Sequence, residues 1–458
     1  YDAPPNLWHA LVDVCRRWRY VVFASPRRLN LRLEYEGCRP MSEVPDAWPV
    51  LPVMLISSVG GFLHPKSDQR WDNRVAALES EHYHRICEIE IFDITNSRWE
   101  RFIAAMQKPF PELTYLDLSV YGGDDDDDDD DDDVVPVLPE SFLGGSAPRL
   151  RELKLTGIPF PSVPKLLLSA NGLVTLELWD IPDSGYISPY TMATALAVMT
   201  RLESLDLQFR SPPSLPDTKS RPLPPPTRFV LPALTELKFK GVYEYMEDLL
   251  ARIDAPLLYD LYIAFFLDFD FDVPQLHRFI GHAEEFKACN HAAVLIFTHS
   301  IELCLYPKPK AVDQHARLVV QVLCTESDWQ LSSFPQVCSS SFPLISALEE
   351  LEIREFGYLP SSHWNDDIED AQWLELLDPF TSLENLYLTY EIAQRVCGAL
   401  QELSGEMVTE VLPALRNLFV DGSGSFEDIE EAIRPFVAAR QLSGHPVAID
   451  HWRRESLF

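Results

Sequence analysis

From Leu113 onward one short pattern returns along the chain: Leu, two residues, Leu, one residue, then an apolar side chain. It reads Leu113-Leu116-Leu118, Leu150-Leu153-Leu155, Leu173-Leu176-Leu178 and Leu202-Leu205-Leu207. It continues as Leu234-Leu237-Phe239, Leu258-Leu261-Ile263, Leu348-Leu351-Ile353, Leu383-Leu386-Leu388 and Leu415-Leu418-Val420. The last two positions alternate, so they point to one side of a short strand. The first Leu packs the turn that enters that strand. In five of the nine occurrences a Pro lies two residues before the first Leu: Pro111, Pro148, Pro232, Pro256 and Pro413. Proline fixes φ and donates no hydrogen bond, which suits the mouth of a strand.

Between these strands the spacing of apolar residues is helical. It predicts helices over 191–200, 243–254, 365–378 and 391–403. A last one begins at Ser425, with Asp428 placed as in a capping box, and Pro435 should kink or divide it. Strands are also expected over 29–35, 50–57 and 86–94. Between Leu261 and Leu351 the pattern lapses, but Leu295 and Phe297, Ile301-Leu303-Leu305 and Leu318-Val320-Val322 still alternate. They read as degenerate units of the same kind.

One strand and one helix cannot bury their own apolar face, whereas stacked units can. The expected fold is therefore α/β, and the pattern resembles the irregular leucine-rich-repeat solenoid, or horseshoe. In regular members of that family an Asn or Cys follows three residues after the third apolar position. Here those places hold residues such as Tyr121, Ile158, Ile181 and Phe266, so no polar ladder can form there. The repeats are expected to occupy 27–458, with disordered loops near 122–136 and 210–232. The first contains ten consecutive Asp, Asp124–Asp133, too mutually repulsive and too polar to pack. The second is proline-rich and favours extended conformations.

Ahead of the repeats, residues 1–26 contain the stretch LWHALVDVCRRWRYVVFASP, starting at Leu7. As a helix it gathers Leu7, Leu11, Val14 and Trp18 on one face. Val14, Cys15, Arg16 and Trp18, with Leu11 before them, resemble the second half of an F-box. Together with the repeats, the layout is similar to the fungal F-box/leucine-rich-repeat proteins. That resemblance places a Leu-Pro-bearing helix upstream, and the chain opens at Tyr1 without it. It also implies a non-catalytic substrate-recognition subunit of an SCF-type ubiquitin ligase. Leu7, Leu11, Val14, Cys15, Arg16 and Trp18 would bind a Skp-type adaptor within a cullin-based ligase, and the repeats would bind a target protein. The alternative is a repeat scaffold with no ubiquitin role, capped by the first helix.

Residues between the buried positions of each strand face the other way. Tyr115, Trp179, Tyr262, Tyr387 and Phe419 are the expected target-binding anchors. Around them Asp117, Glu152, Glu177, Asp206, Glu236, Asp260, Glu350, Glu352 and Asp421 outnumber Lys154, Lys238, Lys240 and Arg354. A partner with basic patches is expected. The net charge of −33 disfavours nucleic acid and anionic membrane surfaces as partners.

No phosphate-binding loop, dinucleotide fingerprint, nucleophile elbow or zinc-protease motif occurs. The run starting at Asp421 fails as a calcium loop, with Phe426 where Gly is needed and Ala432 where Glu is needed. His82 and His84 lack a third ligand. The eight Cys form no C-x-x-C pair and read as reduced thiols. No enzyme, no cofactor and no metal is expected. The location expected is cytoplasmic or nuclear.

Overall fold

The computed structural model describes residues 15–18, 20, 32–43, 51–57, 67–120, 137–159, 165–212, 228–266, 273–297, 299–307, 317–323, 344–356, 370–403, 407–421 and 426–452. These form a mixed α/β protein with sheets dominated by parallel pairing. The chain divides into two compact units. One spans 1–221 with 231–233, and the other 222–230 with 234–458. The Asp124–Asp133 run and residues 213–227 of the proline-rich stretch lie outside the described residues.

In the first unit, strands alternate with helices or short helical turns. The strands are β1 (Leu33–Tyr35), β2 (Val53–Ile56), β3 (Ile86–Ile94), β4 (Tyr115–Val120), β5 (Glu152–Thr156), β6 (Thr175–Ile181) and β7 (Ser204–Phe209). The helices are α1 (Ser67–Glu79), α2 (Asn96–Ala105), α3 (Lys165–Ser169) and α4 (Pro189–Leu196). Each strand pairs in parallel with the next in sequence, from β1 to β7. Ile89, Leu116, Leu153, Leu176 and Leu205 stand side by side in register, all fully buried. Burying one such side chain contributes about 1.5–3 kcal/mol, so the leucine row is a main source of cohesion.

The turn before each strand repeats as well. The N–H of Leu113 donates to the carbonyl of Phe110, Leu150 to Ala147, Leu258 to Ala255 and Leu415 to Leu412. Proline follows the accepting residue in all four. It is the second residue of a tight turn, where its fixed φ is already correct. The residue before it is buried each time, at Phe110, Ala147, Ala255 and Leu412. A fourth core position thus precedes the leucine triplet.

The missing polar ladder has a local replacement. Asp93, Gly157 and Asp180 have φ of 56°, 71° and 49° and occupy the same place at the ends of β3, β5 and β6, in Ile-Phe-Asp-Ile, Leu-Thr-Gly-Ile and Leu-Trp-Asp-Ile. Asp and Gly tolerate this left-handed conformation best. The ladder register shifts at two of these places, between Ile91 and Ile94 and between Leu178 and Ile181. The bend returns the next side chain, Ile94, Ile158 or Ile181, to the core. Two of the positions where Asn was missed, Ile158 and Ile181, are therefore filled by buried isoleucines. The Asp93 N–H donates to Ser119 Oγ at 3.0 Å.

In the second unit, β8 (Phe229–Val230) pairs in parallel with β10 (Ile253–Asp254). Between them lie β9 (Glu236–Gly241) and α5 (Tyr243–Leu250). The helix expected over 243–254 therefore stops at Leu250, and Ile253 and Asp254 are strand. After β11 (Asp260–Phe266) come α6 (Pro274–His282), α7 (Glu284–Lys287), β12 (Cys289–Ile296), β13 (Ser300–Pro307) and β14 (Leu318–Leu323). Then follow β15 (Glu350–Glu355), α8 (Asp370–Leu377), β16 (Asn385–Leu388), α9 (Tyr390–Gln401), α10 (Met407–Glu410), β17 (Asn417–Asp421), α11 (Phe426–Leu442) and β18 (Ala448–Trp452). The parallel order resumes from β15 to β18.

The lapse between Leu261 and Leu351 is not a set of degenerate repeats. β12 and β13 form an antiparallel hairpin, with the Phe297 N–H donating to the Ser300 carbonyl. β14 then runs antiparallel to β13 and parallel to β11, while β12 lies parallel to β15. The spatial order is β11-β14-β13-β12-β15. The chain skips forward, reverses and doubles back. Alternating apolar residues serve either strand direction equally well, so the sequence pattern could not distinguish the two.

Pro435 lies inside α11, which remains a single helix, and Ser425 lies outside the described residues. Arg440 of this helix is fully buried. Its guanidinium donates to the carbonyls of Val408, Pro413 and Leu415 at 3.1–3.3 Å, tying α11 to the turn before β17.

Candidate functional site

Of the residues expected to bind an adaptor, Leu7, Leu11 and Val14 lie outside the described residues. Arg16, Arg17, Trp18 and Tyr20 are helical, and the Trp18 N–H donates to Cys15 Sγ at 3.4 Å. Sulfur here takes the acceptor role usually filled by a capping oxygen. Cys15 and Arg16 are exposed, while Trp18 retains 51% and Tyr20 76% of its surface. The tryptophan is not used to fill the core of the described fold.

The second surface is the sheet face turned away from the leucine row. In the first unit it carries a transverse line of charge. Glu90, Asp117, Lys154, Glu177 and Asp206 lie directly opposite one another on β3 to β7. At about 4.8 Å per strand the line is about 19 Å long. Lys154 Nζ lies 3.0 Å from Glu177 Oε1. Asp206 accepts from the Gln208 amide at 3.0 Å. Burial pushes the Asp117 carboxyl up to about 6, with Glu90 and Glu177 adding to the rise, against the lowering effects of the Tyr115 hydroxyl and Lys154. One line before this, Glu88 is buried and paired with Arg32.

The expected anchors fall in separate places. Tyr115 is half-buried, its hydroxyl 3.2 Å from Asp117 Oδ2, while Trp179 on β6 keeps 40% of its surface. In the second unit the Tyr262 hydroxyl donates to Gln321 Oε1 at 2.6 Å, which brings β14 against β11 through side chains as well as backbone. Tyr387 and Phe419 do come together. Their rings stack with centroids 4.6 Å apart, and Trp452 packs edge-on against Tyr387 at 5.4 Å. Trp452 escaped sequence reasoning, although the alternation of Ala448 to Trp452 after a helix was the available signal.

A second group that sequence reasoning missed lies where the chain reverses. His291, Cys304 and Tyr306 share this face with Glu352 and Arg354 on β12, β13 and β15. His291 Nδ1 lies 3.3 Å from Glu350 Oε2 and the ring packs against Tyr306. Arg354 Nη2 donates to Glu352 Oε2 at 2.8 Å, within an ion pair whose two side chains are both buried. Burial pushes the Cys304 thiol up to about 12, which keeps it protonated at neutral pH and a poor nucleophile. These side chains link β12, β13 and β15 across the sheet face in addition to the backbone ladder.

Among the described residues, no group of His, Cys, Asp and Glu is placed to hold a metal ion, and no helix is long and apolar enough to cross a membrane. No protein-family model matches the sequence, and comparison with curated proteins yields no match.

Proposed function

We propose that this protein is a leucine-rich-repeat solenoid acting as the non-catalytic substrate receptor of an SCF-type ubiquitin ligase. The opening helix would dock on a Skp-type adaptor, and the sheet face away from the leucine row would hold a target with basic patches. The observation that carries the reading is the exposure of Trp18 and Tyr20 on one helical segment. A cap that merely closed the repeats would spend its largest aromatic on the core, whereas a docking hook keeps it free for a partner. The partly exposed acids Glu90, Asp117 and Glu177 on this face, which outnumber its one lysine, Lys154, support the second half of the proposal, since opposite charge steers and aligns a basic partner.

The test is direct binding of the full chain to a purified Skp-type adaptor by biolayer interferometry. Binding should be seen, and Trp18→Ala should weaken it by at least about tenfold, the scale of a central aromatic anchor. No binding, or equal binding by the variant, overturns the ligase role and leaves a repeat scaffold without one.

A further inference from the structure

On β16, β17 and β18 the sheet face away from the leucine row gathers three aromatic rings. Tyr387, Phe419 and Asp450 lie opposite one another, one on each strand, and Asp421 and Trp452 form the next row. The Tyr387 and Phe419 rings stack at 4.6 Å, and Trp452 meets Tyr387 at 5.4 Å with its plane inclined by 61°. A nearly parallel pair and a steeply inclined third ring make two walls of a corner. All three rings are half-buried, so each keeps part of its surface open. Among the described residues no lysine or arginine lies over any of them.

The carboxylates around the rings fall into two kinds. Glu352 continues the first row onto β15 and is buried against Arg354. Asp421 and Asp450 have no ion pair among the described residues. Asp450 is exposed, and its Oδ1 accepts the His451 N–H at 2.7 Å. In register, Asp450 is the neighbour of Phe419 and Asp421 the neighbour of Trp452. Adjacent strands lie about 4.8 Å apart, so each acid is within reach of a group resting on the ring beside it. The row on the other side of Tyr387 is already satisfied: the Asn417 amide donates to Asn385 Oδ1 at 2.8 Å, and Glu350 on β15 faces His291. Rings attract a cation through their faces, and carboxylates add acceptors for its N–H groups. A quaternary ammonium has no N–H to give these acids, and a lysine ammonium is compact and strongly hydrated. A guanidinium is planar, stacks on a ring and carries donors around its edge, so it uses both features together.

We propose that Tyr387, Phe419 and Trp452, together with Asp421 and Asp450, form a binding site for an arginine side chain of a partner peptide. The guanidinium lies against the rings and its edge donates to the two carboxylates. The site deepens the reading of this face as the surface for a basic target and rests on it, naming arginine as the group recognised. It does not need the adaptor contact of the opening helix.

The experiment is fluorescence polarisation of a labelled peptide, Gly-Ser-Arg-Gly-Ser-Arg-Gly, titrated with the full chain. A net charge of −33 attracts any cation, so the same peptide with lysine in place of both arginines sets the baseline. Wild type should bind the arginine peptide at least about threefold more tightly than the lysine peptide. Trp452→Leu keeps an apolar side chain but removes the ring, and should weaken arginine binding about three- to fivefold. Asp421→Asn combined with Asp450→Asn should weaken it by at least about threefold and flatten its salt dependence. Both aspartates reach solvent, so the double variant keeps a test available if Trp452→Leu folds poorly. Binding to a Skp-type adaptor should be the same in all of these proteins, which separates failure here from failure of the ligase role. No binding, or tighter binding of the lysine peptide or of its trimethyl-lysine form, overturns the proposal. Equal affinity for arginine and lysine that both variants weaken also overturns it, while leaving this face as a surface for basic targets. Full affinity in either folded variant removes that reading at these strands too.

Discussion

The Tyr387 ring lies flat against Phe419, one strand away in register, with centroids 4.6 Å apart and planes inclined by 10°. Such a pair couples energetically beyond its buried area, by about 0.5–1.5 kcal/mol. A double-mutant cycle of Tyr387→Ala and Phe419→Ala, read by urea unfolding, should return a coupling in that range. Additive effects would show that the two rings merely lie near each other.

Leu153 stands in the middle of the leucine row with its side chain fully buried, between Leu116 and Leu176. Leu153→Ala should lower stability by about 2–5 kcal/mol, through lost burial and an unfilled cavity. Its sequence neighbour Lys154 faces the other side, paired with Glu177 and partly exposed. Lys154→Ala should cost about 1 kcal/mol or less. Circular dichroism during denaturant titration measures both.

Asp117 gives the protein a pH dependence whose sign can be worked out. Its folded pKa, about 6, lies above the ordinary value of 3.8. Between these values the folded state holds a proton that the unfolded chain has released. Protons therefore favour folding, and stability contributed by the protonated group declines as pH rises through that window. Asp117→Asn should raise the thermal midpoint relative to wild type at pH 7.5. The two proteins should converge near pH 3.5, and a constant difference across the range would contradict the assignment.

Arg440 is fully buried and donates to three backbone carbonyls. Arg440→Ala strands all three acceptors and should cost about 3–5 kcal/mol. Arg440→Lys retains the charge but not the fork, and should rescue only a minor part of the loss. Limited proteolysis between α10 and β17 should accelerate in both variants.

Asp180 holds φ of 49° at the bend that returns Ile181 to the core. Asp180→Gly should be nearly neutral, because Gly157 already fills the equivalent place in the preceding strand. Asp180→Val should lose about 1–3 kcal/mol, since a branched side chain resists that conformation. Thermal unfolding of the two variants decides it.

The core was legible because leucine spacing reports burial directly. Leu113, Leu150, Leu173, Leu202, Leu258, Leu348, Leu383 and Leu415 are all buried, as the first position of the triplet requires. Strand direction was not legible. Ile301, Leu303 and Leu305 alternate as a forward-running unit would, yet β13 runs backward, because side-chain period carries no sign. The bends at Asp93 and Asp180 were written in the sequence as a recurring pair, Asp-Ile, but were masked by the search for Asn one position later. Of the candidate anchors, the contact between Tyr387 and Phe419 followed from their matching places in consecutive units. Arg74 and Arg440 were invisible, since long charged side chains read as solvated until the structure shows them enclosed.

The backward-running β13 also sets a rule for how such a chain can change length. From β1 to β7 every strand adds to its predecessor, so copying or deleting one unit shifts the rest without altering any other pairing. Between β11 and β15 that freedom ends: β14 must return to β11 while β12 waits for β15, and inserting a unit anywhere inside would orphan two edges at once. The pairing thus predicts that removing or adding one strand inside this block breaks the sheet, whereas a unit added among β1 to β7 leaves every other pairing intact.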